Sequence, residues 1–162
     1  MTQFAAPLIC PARNVEPAWI DYNGHMNMAY YSLLFDQALD HVFDLLGIGA
    51  AYVREQQGSC FTMEAHITYL QEVQLGDPLR IEFQLLDWDS KRMHYFERMY
   101  HAGQGYLAAT SEQICMHVDM RTRRAASFPV ASARDIAALA QAHAALQRDA
   151  QVGHRIGIPR KA

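Results

Sequence analysis

The 162-residue sequence predicts an α+β fold: a curved antiparallel sheet wrapped around one long central helix, with an extra helix near the C-terminus. Three features carry that reading. One helical stretch near residues 28–46 has a broad apolar face, four long alternating segments lie between residues 61 and 118, and an amphipathic stretch follows residue 132. The length suits a single domain over 1–162, with a core at about 13–120 and the C-terminal helix at about 132–149. At 51% hydrophobic residues the chain can bury a sizeable core rather than remain disordered.

In chain order, residues 13–20 read as a strand, with Val15, Pro17 and Trp19 alternating against Glu16 and Ala18. Pro17 puts that strand at an edge or a bulge. The turn-rich run Asp21-Tyr22-Asn23-Gly24-His25 follows, then a helix from Met28 to Leu46 with Asn27 as its N-cap and Gly47 and Gly49 ending it. Tyr31, Leu34, Phe35, Ala38, Val42, Leu45 and Leu46 form its apolar face. Polar residues are confined to Ser32, Asp36, Asp40 and Asp44, plus Gln37 and His41, so the helix should be mostly enclosed.

Phe61 to Tyr69 alternates cleanly and reads as a strand. Gly76-Asp77-Pro78 turns into a second strand, Leu79 to Trp88, and Asp89-Ser90 makes a hairpin into a third, Arg92 to His101. Gly103 and Gly105 bracket the turn into the last, Leu107 to Val118. Three consecutive meander connections are therefore expected. Ser132 and Asp135 suggest a variant capping box for the last helix. Its Ile136, Leu139, Ala140, His143 and Leu146 would pack on the sheet or on another subunit.

Composition narrows the function. A net charge of −3 points away from nucleic acid or an anionic membrane as the main partner. Cys10, Cys60 and Cys115 are odd in number and far apart, without disulfide or metal-ligand spacing, which suits a reducing compartment. Met1 to Ala12 lacks a signal-peptide pattern, and no apolar run approaches the roughly 18 residues of a membrane span. A cytoplasmic protein is the expectation. Basic residues cluster at Lys91-Arg92 and at Arg121, Arg123 and Arg124, either as solvated strand ends or as contacts for the phosphates of a nucleotide-like group.

The segment Trp19-Ile20-Asp21-Tyr22-Asn23-Gly24-His25-Met26-Asn27 is the most specific part of the chain. It sets Asp21, Asn23, His25 and Asn27 just before the start of an enclosed helix, where unpaired N–H groups stabilise a developing oxyanion. A carboxylate beside that point can attack a carbonyl or deprotonate a water. Each residue also has a plainer role open to it. Asn27 can be a helix cap, His25 a structural histidine, and Asp21 a partner of its own turn.

Asp21-x-Asn23-x-His25, followed by Asn27 and an aromatic-rich helix, resembles the active-site segment of hotdog-fold thioesterases; acyl-ACP thioesterases carry a similar Asp-x-Asn-x-His. The 4-hydroxybenzoyl-CoA thioesterase-like family is similar too, with its aspartate at this strand-to-helix junction and a glycine three residues on, as Gly24 is here. Phe61 to Tyr69 and Lys91 to Glu97 extend the likeness over most of the chain. The resemblance implies a hotdog fold, hydrolysis of an acyl-CoA thioester without cofactor or metal, and a homodimer or larger assembly with sites at the interface. It also implies that Asp21 acts as nucleophile or general base, with Asn23 and His25 beside it and the backbone amide of Met28 polarising the carbonyl.

The run from Trp19 to Asn27, with the closing Arg155-Ile156-Gly157-Ile158-Pro159, further resembles thioesterases of carnitine breakdown, which occur alone or fused to carnitine dehydrogenase. The substrate implied is betainyl-CoA. Trp19, Tyr22, Tyr30, Tyr31 and Trp88, helped by Glu64, are then candidates to hold a trimethylammonium group, although such aromatics are core residues more often than cage residues. Asn27 is a further candidate for substrate binding. Lys91, Arg92, Arg123 and Arg124 are the candidates for the CoA phosphates. Two rivals share the fold. A hydratase or dehydratase has a different Asp-to-His spacing, and a non-catalytic acyl-binding module has no need of Asp21.

Overall fold

The computed structural model describes residues 3–158 and 160. Helix α1 (Met28–Leu45) is cradled by an antiparallel sheet of β1 (Leu8–Ile9), β2 (Arg13–Asn14), β3 (Gly58–Tyr69), β4 (Pro78–Trp88), β5 (Arg92–His101), β6 (Leu107–Asp119) and β7 (Arg124–Ala125). Helices α2 (Ala50–Gln56) and α3 (Val130–His143) complete it. The expected four long strands and long helix are all present, within a residue or so at most of their ends.

Sheet order corrects the expected meander. The strands run β1-β4-β5-β6-β3, so β3 pairs with β6, from Gly58 opposite Asp119 to Tyr69 opposite Ala109, and never meets β4. Two meander connections exist rather than three, because residues 70–77 do not close a hairpin. Their Gly76-Asp77 turn pairs with Val15 instead: Gly76 N–H donates to Val15 at 2.9 Å and Val15 N–H to Asp77 at 3.0 Å. Periodicity fixes which face a residue takes, not which strand lies beside it.

The strand expected over 13–20 is also corrected. Only Arg13–Asn14 pairs with β4, and Pro17–Trp19 is a turn of 3-10 helix with Pro17 at its start. Proline has no N–H for a ladder and its fixed φ suits the first helical position. Trp19 is buried by this turn and its carbonyl accepts Asn27 N–H at 2.9 Å.

On α1, Tyr31, Leu34, Phe35, Ala38, Leu39, Val42 and Phe43 face the core, against Phe83, Tyr95 and Met99. The helix is less enclosed than its composition suggests, since Met28, Leu33 and Leu45 are exposed beside Ser32, Asp36, Asp40 and Asp44. Helix α3 begins two residues early, after Pro129, with no side chain capping it, and Ser132 is buried inside it. It ends at His143, not near 149. It packs on its own sheet: His143 Nδ1 accepts Leu85 N–H at 2.9 Å while Nε2 donates to Ala5 O at 3.0 Å. The chain then crosses the outer sheet face through Arg98–Asp149 (2.9 Å) and Gly153 N–H to Glu112 (2.7 Å). Arg155 to Ile158 are exposed, and Pro159 lies outside the described residues. No helix among the described residues is long and apolar enough to cross a membrane.

One acid sits inside. Glu97 on β5 is fully buried; its Oε2 accepts from Gln113 Nε2 at 3.2 Å and its Oε1 has no partner among the described residues. Burial, then the nearby Asp36, pushes its carboxyl well above the usual range. A raised folded value contributes stability in full below the ordinary 4.5 and loses it as pH climbs toward the folded value. Glu97→Gln removes that loss. Its stability gain over the native protein should be roughly 1–3 kcal/mol at about pH 8 and fade below about pH 4.5. Paired thermal melts measure this, and an equal difference at both pH values would mean that Glu97 is ionised in the fold.

Candidate active site

The loop before α1 is held by its own polar side chains. Asp21 Oδ1 accepts Asn23 N–H at 2.8 Å, Gly24 N–H donates to Asp21 O at 3.0 Å, and Asp21 N–H donates to His25 O at 3.1 Å. Gly24 closes the turn at φ +81°, where a side chain is strained. Asn27 then works in two directions. Its Oδ1 caps the helix by accepting Ala29 N–H at 3.0 Å, and its Nδ2 donates to Asp21 Oδ2 at 3.0 Å. The carboxylate is thus tied to the first turn of α1. Met28 N–H, the first amide of the helix, has no acceptor among the described residues.

The Asn23 amide chiefly, then the Asn27 side chain and His25, hold the Asp21 carboxyl below its ordinary value against a smaller effect of desolvation. Asp21 is therefore a carboxylate at neutral pH. His25 Nδ1 donates to Met26 O at 3.2 Å, which leaves Nε2 for other work. Beside Met28 opens a cavity of about 240 Å³, lined by His25, Met26, Met28, Tyr31, Tyr69, Leu70, Gln71 and Glu72. Tyr69 reaches the start of the helix, its ring 5.2 Å from that of Tyr31 and its hydroxyl 3.5 Å from Met28 O.

The fold thus brings Asp21, Asn23, His25, Asn27, Met28 and Tyr31 to one end of β3. Other candidates lie elsewhere. Tyr22 is 97% exposed, and Trp19 is buried with its ring stacked on Tyr30 at 5.7 Å. Glu64 and Trp88 line a separate cavity of about 470 Å³, with Arg92, His94, Glu112 and His154. Lys91, Arg92, Arg123 and Arg124 are exposed and gather at the other end of β3, around the β4–β5 turn and β7. There Arg92 Nη2 meets Asp89 at 2.6 Å, and the Arg123 guanidinium lies 5.6 Å over the Phe61 ring. Eleven strand steps separate the two ends of β3, roughly 36 Å. Tyr69 and Glu72 are cavity residues that the sequence reading did not single out. Tyr69 closes an alternating strand and Glu72 sits in an aperiodic loop, so neither carried a pattern.

This architecture has known counterparts. A model of the thioesterase-like superfamily matches residues 15–155, nearly the whole chain. The chain belongs to that superfamily. It is 38% identical over 145 residues to a betainyl-CoA thioesterase of Pseudomonas aeruginosa, covering 90% of this chain and 91% of that protein. It is 36% identical over 156 residues to an L-carnitine dehydrogenase/betainyl-CoA thioesterase of Rhizobium meliloti, covering 96% of this chain but spanning only 31% of that longer protein. Among solved structures, a Staphylococcus aureus protein in complex with CoA superposes with a TM-score of 0.90 at 29% identity, over 98% of this chain and 99% of that one.

Proposed function

We propose that this superfamily member hydrolyses acyl-CoA thioesters, and betainyl-CoA in particular, to release glycine betaine and CoA. The observation that carries the reading is the double use of Asn27, which fixes the Asp21 carboxylate beside the unpaired Met28 amide. A thioester carbonyl that accepts Met28 N–H has its oxygen at the positive end of α1, where charge developing on it is stabilised. Asp21 then attacks the carbonyl carbon directly, or takes a proton from a water whose oxygen attacks. In either route a C–O bond forms, the C–S bond breaks, and the CoA sulfur leaves with a proton derived from water. After direct attack the acyl group is held on Asp21 as an anhydride, and a water that attacks it frees the acid and restores the carboxylate. The carnitine-linked relatives support the acyl group named. A cytoplasmic setting accords with the three free cysteines.

Release of free thiol from a panel of acyl-CoAs tests the activity, and no release from any member would sink it. Betainyl-CoA should give a kcat/KM at least ~10-fold above that of a neutral branched acyl-CoA of similar size, a gap within the range of a cation–π site. Equal values would remove betainyl-CoA as the preferred substrate and leave thioesterase activity standing.

The proposal includes a homodimer or an assembly of dimers. Strand β3 is a twelve-residue edge with Met63, Glu64 and Ala65 exposed, and such an edge invites a partner strand. A second β3 paired antiparallel about its middle brings the partner's Lys91, Arg92, Arg123 and Arg124 toward this chain's Tyr69 and Met28. The cluster is level with Gly58 to Phe61, eight to eleven strand steps or roughly 26–36 Å from Tyr69 in one chain, and the pairing turns that gap into a site shared by two. Light scattering at micromolar concentration should find at least a dimer, and a monomer would defeat this arrangement.

A further inference from the structure

A betainyl thioester dictates where its charge must sit. The quaternary nitrogen is bonded to the carbon next to the carbonyl, so it lies about 2.5 Å from the carbonyl carbon, the N-to-C span of one amino-acid residue. A group that selects for the charge must border the position of the carbonyl itself, beside Met28 N–H. Most acids of the chain fail that condition. Asp36 is eight residues along α1 from Met28, about 12 Å away, and the buried Glu97 lies in the field of Asp36. Glu64 and Trp88 line the other cavity.

The cavity beside Met28 meets the condition. Tyr31 and Tyr69 form an edge-to-face pair there, with their ring planes at 82°. Burial above all, with Tyr106, Glu72 and Tyr69 nearby, pushes the Tyr31 hydroxyl up to about 12, against the opposing effect of the Val73 backbone. Glu72 lies on the same wall, close enough for its carboxylate to act on that hydroxyl. Its loop is anchored: Tyr106 Oη donates to Glu72 O at 2.9 Å, Gln71 N–H to Ala108 O at 3.0 Å, and Met26 N–H to Val73 O at 2.9 Å. None of the ion pairs among the described residues involves Glu72. The site therefore holds two phenol rings at a right angle and a carboxylate with no cation, all next to the oxyanion position.

We propose that Tyr31, Tyr69 and Glu72 form a subsite for a quaternary ammonium on the carbon α to the thioester, and so set a preference for short cationic acyl groups. This rests on the thioesterase reading above. A trimethylammonium donates no hydrogen bond, so the ring faces and a full negative charge are the groups that can distinguish it from a tert-butyl group of the same shape. The sequence alone offered Tyr31 among five aromatics, with Glu64 as the acid; proximity to the carbonyl keeps Tyr31, adds Tyr69 and selects Glu72 as the acid instead.

Betainyl-CoA and its uncharged carbon isostere, tert-butylacetyl-CoA, test the subsite on the whole protein. Glu72→Gln and Tyr69→Leu should each lower the ratio of kcat/KM for betainyl-CoA to that for the isostere by ~10-fold, whatever each does to the isostere alone. Tyr69→Phe should keep the native preference. The subsite is overturned if the native protein does not discriminate between the two esters, if the variants lose both equally, or if they keep the preference. Glycine betaine binding by calorimetry gives a readout free of turnover. If neither ester is hydrolysed the activity reading fails, yet weaker binding of glycine betaine to Tyr69→Leu would still support the subsite, and unchanged or absent binding would overturn it.

Discussion

Asp21→Asn is expected to lower kcat by ~10²-fold or more, the scale of a lost general base or nucleophile. Size is conserved and the fold should survive, but the hydrogen bonding is not fully conserved. Asp21 Oδ1 and Oδ2 accept from Asn23 N–H and Asn27 Nδ2. An amide can replace one acceptor only; its NH2 group would meet Asn27 Nδ2, donor against donor, and Asn27 cannot turn over without giving up the cap at Ala29. A small loss of stability should accompany the loss of rate, about 1 kcal/mol, on the scale of a disturbed helix cap. Asn27→Ala separates the two effects, because it removes the cap and the Asp21 contact but leaves the carboxylate. It should retain far more activity than Asp21→Asn. His25→Ala should cost less than Asp21→Asn if the imidazole positions the substrate or the loop. Near-full activity in Asp21→Asn together with loss in His25→Ala would reverse these roles and make His25 the base.

The acid side of the rate profile follows from the same hydrogen bonds. Asp21 is held below its ordinary value of 3.8, chiefly by the Asn23 amide. The ionised form therefore persists as pH falls through the usual carboxylate range, and whatever depends on it is lost only below that range. Activity at mildly acidic pH should not fall because Asp21 becomes protonated.

Much of this protein was legible in the sequence because its signals are local. Asn27 caps the helix as expected, and Gly24 takes the turn that the Asp21 to His25 run suggested. Alternation placed β5 to the residue. The failures concern partners distant in sequence. No property of Phe61 to Tyr69 says that it pairs with β6 rather than β4, since either neighbour satisfies its inward face. Pro17 could be read as an edge-strand proline or as the start of a turn, and only the burial of Trp19 decides. The candidate site divides in the same way. Asp21, His25, Asn27 and Met28 lie within eight residues and were visible together, whereas Tyr69 and Glu72 reach them through the β3–β6 ladder and an aperiodic loop.

A mixing experiment follows from the shared site and carries an effect of comparable size. Each site is proposed to take Asp21 and Met28 from one chain and the basic residues beside β7 from its partner. Arg123→Glu with Arg124→Glu, in a chain whose own Asp21 is intact, should weaken acyl-CoA capture by ~10- to 100-fold, the scale of losing charged hydrogen bonds to phosphate. A homodimer of Asp21→Asn chains fails for a different reason, with phosphates bound but no carboxylate. Unfolding and refolding the two variants together at equal concentrations makes half of the dimers mixed. Each mixed dimer then has one site with both lesions and one with neither, so about a quarter of native activity should return. Each variant refolded alone should stay at about a tenth of native activity or less at the same subsaturating substrate concentration. If a site were built within one chain, every site in the mixture would still carry a lesion and no activity would return. Recovery in the mixture alone would mean that the Asp21 loop and the basic cluster meet across two chains, as proposed from the roughly 26–36 Å of β3 that lies between them in one chain.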